Sequence, residues 1–306
     1  MGAGVGRRIA ALLLMLFGLM PSAAFAAESK LKAVATFSIL ADLVTQVGGE
    51  RVAVTSLVGP DADAHGYSPA PGDARRVAEA DLVVVNGLGF EGWIERLIKA
   101  SGTRAPVVVA AKGVKTIAGS HDHDDHGHDH GDHADPHAWQ NVANVKLYVA
   151  NIRDGLSTVD PAHAALYAAN AAAYTEKLDA LDAEIRSTLQ TIPAERRRII
   201  TTHDSFGYFS DAYGMRFLAP QGISTDSEAG PRDVARIIRQ IRSDKVPAVF
   251  VETIADPRLM QQIARESGAK VGGRIYSDAL SGPAGPAPGY VEMMRANLRA
   301  FREALG

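Results

Sequence analysis

The chain is 306 residues long, 46% hydrophobic and 22% charged, with a formal net charge of −3 and no cysteine. That length and apolar content can bury sizeable cores in two domains, and the near-neutral balance gives no electrostatic footprint for nucleic acid. Without cysteine there are no disulfides, thiolate ligands, thiol catalysis or lipid attachment through an N-terminal cysteine.

Residues 1–26, MGAGVGRRIAALLLMLFGLMPSAAFA, pair the basic Arg7 and Arg8 with an apolar run from Ile9 to Met20 and a small-x-small cleavage signal, Ala24-Phe25-Ala26. This pattern predicts a cleaved secretory signal peptide, because the run is shorter than the roughly 20 residues of a membrane span. Cleavage would remove two arginines and no acid, leaving 30 basic against 35 acidic residues. A soluble protein of a bacterial periplasm is expected.

From 32 to 111 short β-rich runs alternate with helical ones: LKAVATF, RVAVTSLV, DLVVVNG and PVVVAA read as strands, and ILADLVTQVGG, GDARRVAEA and EGWIERLIKAS as helices. This rhythm predicts a parallel sheet with helices on its faces. From Arg197 to the end it repeats, with RRIITTH, MRFLAPQ, PAVFVET and AKVGGRIYSD as strands and SFGYFSDAYG, PRDVARIIRQIRSD, PRLMQQIARESG and GYVEMMRANLRAFREAL as helices. The fold class is therefore α/β, with two parallel-sheet lobes. An Ala-rich segment lies between them. With Asp160 as N-cap and Pro161 in the first turn, it reads as one rigid helix over about 161–190, roughly 45 Å long at 1.5 Å per residue. The implied organisation is a signal peptide at 1–26, an N-terminal lobe at 27–158 containing a His-rich loop at 120–133, a linking backbone helix at 159–191 and a C-terminal lobe at 192–306.

Open α/β sheets bind ligands beyond the carboxyl ends of their strands, and four metal-type residues follow predicted strands. His65 lies in GPDADAHGYSP and His137 in DPHAW, both in the first lobe; His203 ends IITTH and Asp278 ends GGRIYSD in the second. Two residues per lobe on the same edge can meet in the interlobe cleft. Three imidazoles and one carboxylate form a nitrogen/oxygen set that zinc accepts, and four protein ligands close its shell, whereas a hydrolytic zinc site keeps a position for water. No HExxH helix is present. The set thus argues for binding over catalysis.

Other polar residues have simpler readings. His163 is expected to be solvated on the first turn of the long helix, Trp93 and Trp139 to be core or cleft-wall aromatics, and Asp226 and Glu228 to be solvated loop acids. Asp204 is a candidate acceptor for the second ring nitrogen of His203.

The pieces GPDADAHGYSPAPGDARRVAEADLVVVNGLGFEGWI, DPHAW, TTHDSFGYFSDAYGM, VFVETIADPRLMQQIARESGAKVGGRIYSD and GYVEMMRANLRAF resemble, in order and spacing, the cluster A-I substrate-binding proteins of ABC transporters for zinc and manganese. Within that family the chain is most similar to AztC-type zinc-binding proteins. The resemblance covers nearly all of the mature chain. It implies two α/β lobes, a backbone helix, and one metal ion in the cleft held by His65, His137, His203 and Asp278. Manganese-selective members tend to carry a carboxylate at the position of His203, and borderline zinc prefers imidazole more than hard manganese does, so Zn2+ is the expected ion. One departure is DADAH, longer than the family's usual DxH spacing.

Seven of the ten histidines fall in HDHDDHGHDHGDHADPH, 121–137. Of these, His137 is assigned to the cleft. His121, His123, His126, His128, His130 and His133 sit in a Gly/Asp/His tract with no apolar residue to bury, predicted to stay unfolded without metal and to offer weaker additional zinc sites. The expected protein is a monomeric periplasmic zinc-binding protein, not an enzyme, that delivers Zn2+ to an ABC permease, with a periplasmic zinc chaperone as a second class of partner. Alternatives are a manganese-specific homologue, a zinc hydrolase using the same residues with Asp278 as base, and a metal buffer or adhesin.

Overall fold

Contiguous apolar runs make the strands, as a parallel sheet covered by helices on both faces requires. The computed structural model describes residues 1–2, 29–119 and 134–306. Nearly all of the predicted signal segment, and the tract at 120–133, lie outside the described residues. The first sheet comprises β1 (Leu31–Phe37), β2 (Val52–Val58), β3 (Leu82–Val85) and β4 (Val107–Val109), in the order β2-β1-β3-β4 and parallel throughout. The second comprises β5 (Arg198–Ile200), β6 (Arg216–Leu218), β7 (Ala248–Glu252) and β8 (Lys270–Ile275), in the order β6-β5-β7-β8, again parallel. Helices α1 (Ser38–Gly48), α2 (Pro71–Ala78) and α3 (Ile94–Ser101) alternate with the first set of strands. Two more, α4 (Val142–Val159) and α5 (Ala164–Gln190), precede the second set, which alternates with α6 (Gly207–Tyr213), α7 (Pro231–Asp244) and α8 (Pro257–Ser267) before the closing α9 (Tyr290–Leu305). These are the two predicted α/β lobes. In each sheet the chain leaves a central strand to one side and returns to the other, which opens a crevice at the carboxyl ends of the strands.

Most strands are shorter than their sequences suggested, and two of the early ends shape the cleft. β5 stops at Ile200, not at His203. The Thr201 amide makes the last bond to its neighbour, at the Leu218 carbonyl, and the next two amides, of Thr202 and His203, turn instead to the Glu252 carboxylate. β8 stops at Ile275, not at Asp278, because the Tyr276 amide is taken by the Asn297 side chain of α9. Both polar ends are thereby steered off the sheet and toward the cleft.

The linking helix also differs at its start. A tight 3-10 turn, Pro161–His163, precedes α5, which at 27 residues spans about 40 Å. Asp160 does not cap the helix through its side chain. Its carboxylate accepts from the His163 ring (2.9 Å), the Tyr167 hydroxyl (2.7 Å) and the Arg51 guanidinium (3.0 Å). Burial opposes ionisation there, but these three donors outweigh it and lower its pKa to about 2. His163 is accordingly paired with Asp160 and not simply solvated.

Buried residues on α5 (Tyr167, Ala171, Tyr174, Leu178, Leu181, Ile185 and Leu189) recur every three or four positions, the spacing of an amphipathic stripe. This stripe packs α5 against α1 and α4 on one side and α6 and α9 on the other. One apolar cluster runs from the first sheet through α5 to the face of the second sheet that presents Ile199, Ala248 and Phe250. A smaller cluster fills the opposite face, where Ile200, Val249 and Val251 meet α7 and α8. The single-residue alternation along β5 and β7 assigns each side chain to its face.

Leu181, fully buried at the middle of α5, tests this continuity. Leu181→Ala is expected to lower stability by about 2–5 kcal/mol through the lost transfer energy and residual cavity, with both lobes unfolding in one transition in urea. A loss below about 1 kcal/mol, or two separated transitions, would contradict a shared core.

Candidate metal centre

His65 stands in the β2–α2 connection, His137 ahead of α4, His203 three residues past β5 and Asp278 three residues past β8. The structure brings all four together. One nitrogen from each histidine and one Asp278 oxygen lie within 4.8 Å of one another, the only such cluster of His, Asp or Glu among the described residues. His65 Nε2 is 3.1 Å from His137 Nε2 and 3.4 Å from Asp278 Oδ2. His203 Nε2 is 3.2 Å from Asp278 Oδ2, and His137 Nε2 is 3.8 Å from Asp278 Oδ1. His65 is 8% exposed and the other three are 0–1% exposed.

These atoms face a common point, and His203 Nε2 and both Asp278 oxygens are buried there with no hydrogen-bond partner. A buried carboxylate and buried ring nitrogens left so are costly, and a cation between them satisfies all of them at once. A tetrahedral shell with zinc–nitrogen bonds of about 2.0–2.1 Å has ligand–ligand edges of about 3.3 Å, and the observed separations bracket that value.

Each ring is aimed by its other contacts. His137 Nδ1 and its backbone amide both meet Asp135 Oδ1, at 2.8 Å. His203 Nδ1 meets Glu252 Oε2 at 2.5 Å, while Glu252 Oε1 accepts the Thr202 and His203 amides. These carboxylates hold the Nδ1 protons and leave Nε2 for the ion. For His65 the backbone is fixed: its amide donates to Asp63 Oδ1 at 2.9 Å, Asp63 Oδ2 accepts from Thr225 at 2.7 Å, and the Trp93 indole donates to the Ala64 carbonyl at 2.8 Å. Asp63 belongs to the lengthened DADAH stretch. Phe90 packs edge-on to His65 and His137, and Trp139 edge-on to His137; with Phe37 they form an apolar wall. Deeper still, Asn86 donates to the Pro136 carbonyl beside His137 and accepts from Tyr148, while buried Glu91 takes the Thr36 hydroxyl and the Asn86 amide.

Trp93 and Trp139 are thus buried aromatics, as expected, and Asp226 and Glu228 are exposed. Asp204 does not take the second nitrogen of His203; Glu252 does. Sequence reading missed both orienting carboxylates. The signals were an acid two residues before His137, and an acid closing the otherwise apolar, fully buried strand AVFVE.

Burial pushes the His203 pKa down, yet the Glu252 and Asp278 carboxylates outweigh it and raise it well above 6.5. Asp278 is raised by burial but lowered further by His203 and His137, ending well below the usual carboxylate value.

The chain matches the family model described as zinc-uptake complex component A, periplasmic, over residues 33–304. It is 33% identical to the iron-binding protein YfeA of Yersinia pestis, with 90% of this chain and 87% of that protein covered. To the manganese-binding lipoprotein MntA of Halalkalibacterium halodurans it is 35% identical, with 90% and 88% covered. The solved structure of the periplasmic zinc-binding protein TroA from Treponema pallidum superposes with a TM-score of 0.84 at 29% identity, over 91% of this chain and all of that one.

A raised His203 pKa means that a metal must displace a proton held beyond the usual imidazole range, so metal affinity rises with pH through that range. Competition titrations against a chelator should show affinity falling steadily as the pH is lowered from 8 to 5. An affinity unchanged between pH 8 and pH 5 would rule out imidazole ligands.

Proposed function

The chain belongs to the family of zinc-uptake component A proteins, the periplasmic metal-binding, substrate-binding proteins of ABC importers, and from that premise we propose that it captures one Zn2+ between its lobes and hands it to a membrane permease. The single observation behind this reading is the buried convergence of His65, His137, His203 and Asp278 at the meeting of the two sheets, with His203 Nε2 and both Asp278 oxygens unpartnered. Its members carry substrates and are not enzymes; consistent with that, Asp278 faces the same point as the three imidazoles and is not set back as a base for a metal-bound water.

Proteins named for iron, manganese and zinc are all similar to this chain, so similarity alone leaves the metal open. The donor set supports zinc, since three imidazoles against a single carboxylate suit a borderline ion better than hard manganese. We place the protein in the periplasm as a monomer. Among the described residues no helix is long and apolar enough to cross a membrane, and the chain has no cysteine for lipid attachment. The Gly/Asp/His tract at 120–133 supplies, in this proposal, weaker sites that capture zinc and raise its concentration near the cleft, with a periplasmic zinc chaperone as a further donor.

His137→Ala removes one of four ligands. It should weaken zinc binding by at least the 10–100-fold typical of losing an outer partner of a ligand, in chelator competition run with zinc and manganese side by side. Wild-type zinc affinity in this variant would refute the assignment, and tighter binding of manganese than zinc by the wild-type protein would refute the choice of metal.

Deletion of 120–132 is expected to leave the one tight equivalent unchanged while abolishing the weaker ones in isothermal titration. Loss of the tight equivalent would make a tract histidine a ligand in place of His137.

A further inference from the structure

We infer that the metal ligands are braced reciprocally across the lobe boundary, with Gln140 as the positioning residue for Asp278. This rests on the proposed metal site and deepens it. Asp278 belongs to the second lobe, yet the peptide that precedes it is held from the first: the Ser277 carbonyl accepts both the Gln140 amide (Nε2, 2.9 Å) and the Trp139 indole (Nε1, 2.9 Å). Both donors directly follow the ligand His137 in the sequence DPHAWQ. A carbonyl clamped by two donors fixes the rotation of the Ser277–Asp278 peptide and with it the direction in which the Asp278 side chain leaves the backbone. The Asp278 oxygens themselves face only the three imidazoles.

The bracing also runs the other way. Asp135, which aims His137, is gripped from the second lobe by α6. Tyr208 donates to the Asp135 carbonyl at 3.0 Å, and Gly207 lets the helix backbone approach so closely that a Cβ there would stand 2.5 Å from Asp135 Oδ2. At His65 the pattern recurs, because the orienting Asp63 is tied to Thr225 of the second lobe. Of the three histidines, only His203 has an orienting carboxylate, Glu252, whose bonds stay within one lobe. A displacement of the lobes that stretches these bonds therefore loosens three ligands together, and the permease need only part the lobes slightly to release the ion.

Gln140 is also suited to a decisive test. It is fully buried, and its Oε1 has no hydrogen-bond partner, so the side chain is an expensive one for folding alone. In Gln140→Leu the unpartnered oxygen disappears and Ser277 keeps the Trp139 donor, so no new buried group is orphaned. The metal-free variant should melt at or above the wild-type temperature. Its zinc, followed by transfer to a colorimetric chelator, should leave about tenfold faster, the low end of the effect of outer partners on metal affinity. The visible spectrum of the cobalt-loaded variant should shift as the Asp278 geometry relaxes. Tyr208→Phe should likewise speed release, acting through His137, which gives a second reading should Gln140→Leu fold poorly. Wild-type release rates and cobalt spectra in both variants would overturn the inference. So would faster release that merely tracks an equal loss of metal-free stability. A wild-type chain that binds no stoichiometric zinc would sink the carrier reading itself, which is distinguishable because it appears before any variant is made.

Discussion

A buried carboxylate facing three buried imidazoles, with no protein donor to satisfy it, is the constraint on which the rest of the structure depends. Removing such a charge from water costs several kcal/mol unless an opposite charge is held beside it. In the metal-free protein the nearest such partner is the His203 ring, whose basicity Glu252 and Asp278 raise. A divalent cation held at this point would satisfy the carboxylate and Nε2 of all three histidines together. The site is thus a hole of defined charge and size, and the surrounding chain is organised to keep it dry and closed.

Much of the architecture follows from that requirement. Four candidate ligands on four separate chain segments converge because the two sheets present their carboxyl ends to each other, and β5 and β8 stop early so that their polar ends turn inward. Glu252 serves twice, ending β5 by drawing off its backbone amides and orienting the ring of His203. The stripe of α5 and the apolar cluster continuous with it tie the lobes along their backs, which leaves the cleft side, where the hydrogen bonds cross, as the place for small relative movement. Metal retention becomes a property of how the lobes meet and belongs to neither lobe alone.

How much of this was legible in the sequence depended on whether the cause was local. Runs such as LKAVATF and AVFV declare buried parallel strands because burial on both faces permits no alternation, and PRDVARIIRQIRSD declares a helix by its proline start and apolar period. His65, His137, His203 and Asp278 could be picked out because strand-following loops are where such sheets place ligands. Asp160 misled, since an acid before Pro161 looks like a cap, while the structure spends it on His163, Tyr167 and Arg51, the last of these 109 positions away. Glu252 escaped because a ring's orienting partner is chosen in three dimensions and it lies 49 positions from His203, whereas Asp135, two positions before His137, was a local signal left unread. The clamp of Gln140 on Ser277 spans 137 positions, and no periodicity or motif announces such a contact.

X-ray absorption at the zinc edge of the loaded full-length protein, at one equivalent, interrogates the centre most directly. Three imidazole nitrogens and one carboxylate oxygen should surround the ion at about 2.0–2.1 Å, with the multiple-scattering pattern of three histidine rings. A shell with fewer than three imidazoles, or one completed by water in place of Asp278, would contradict the account.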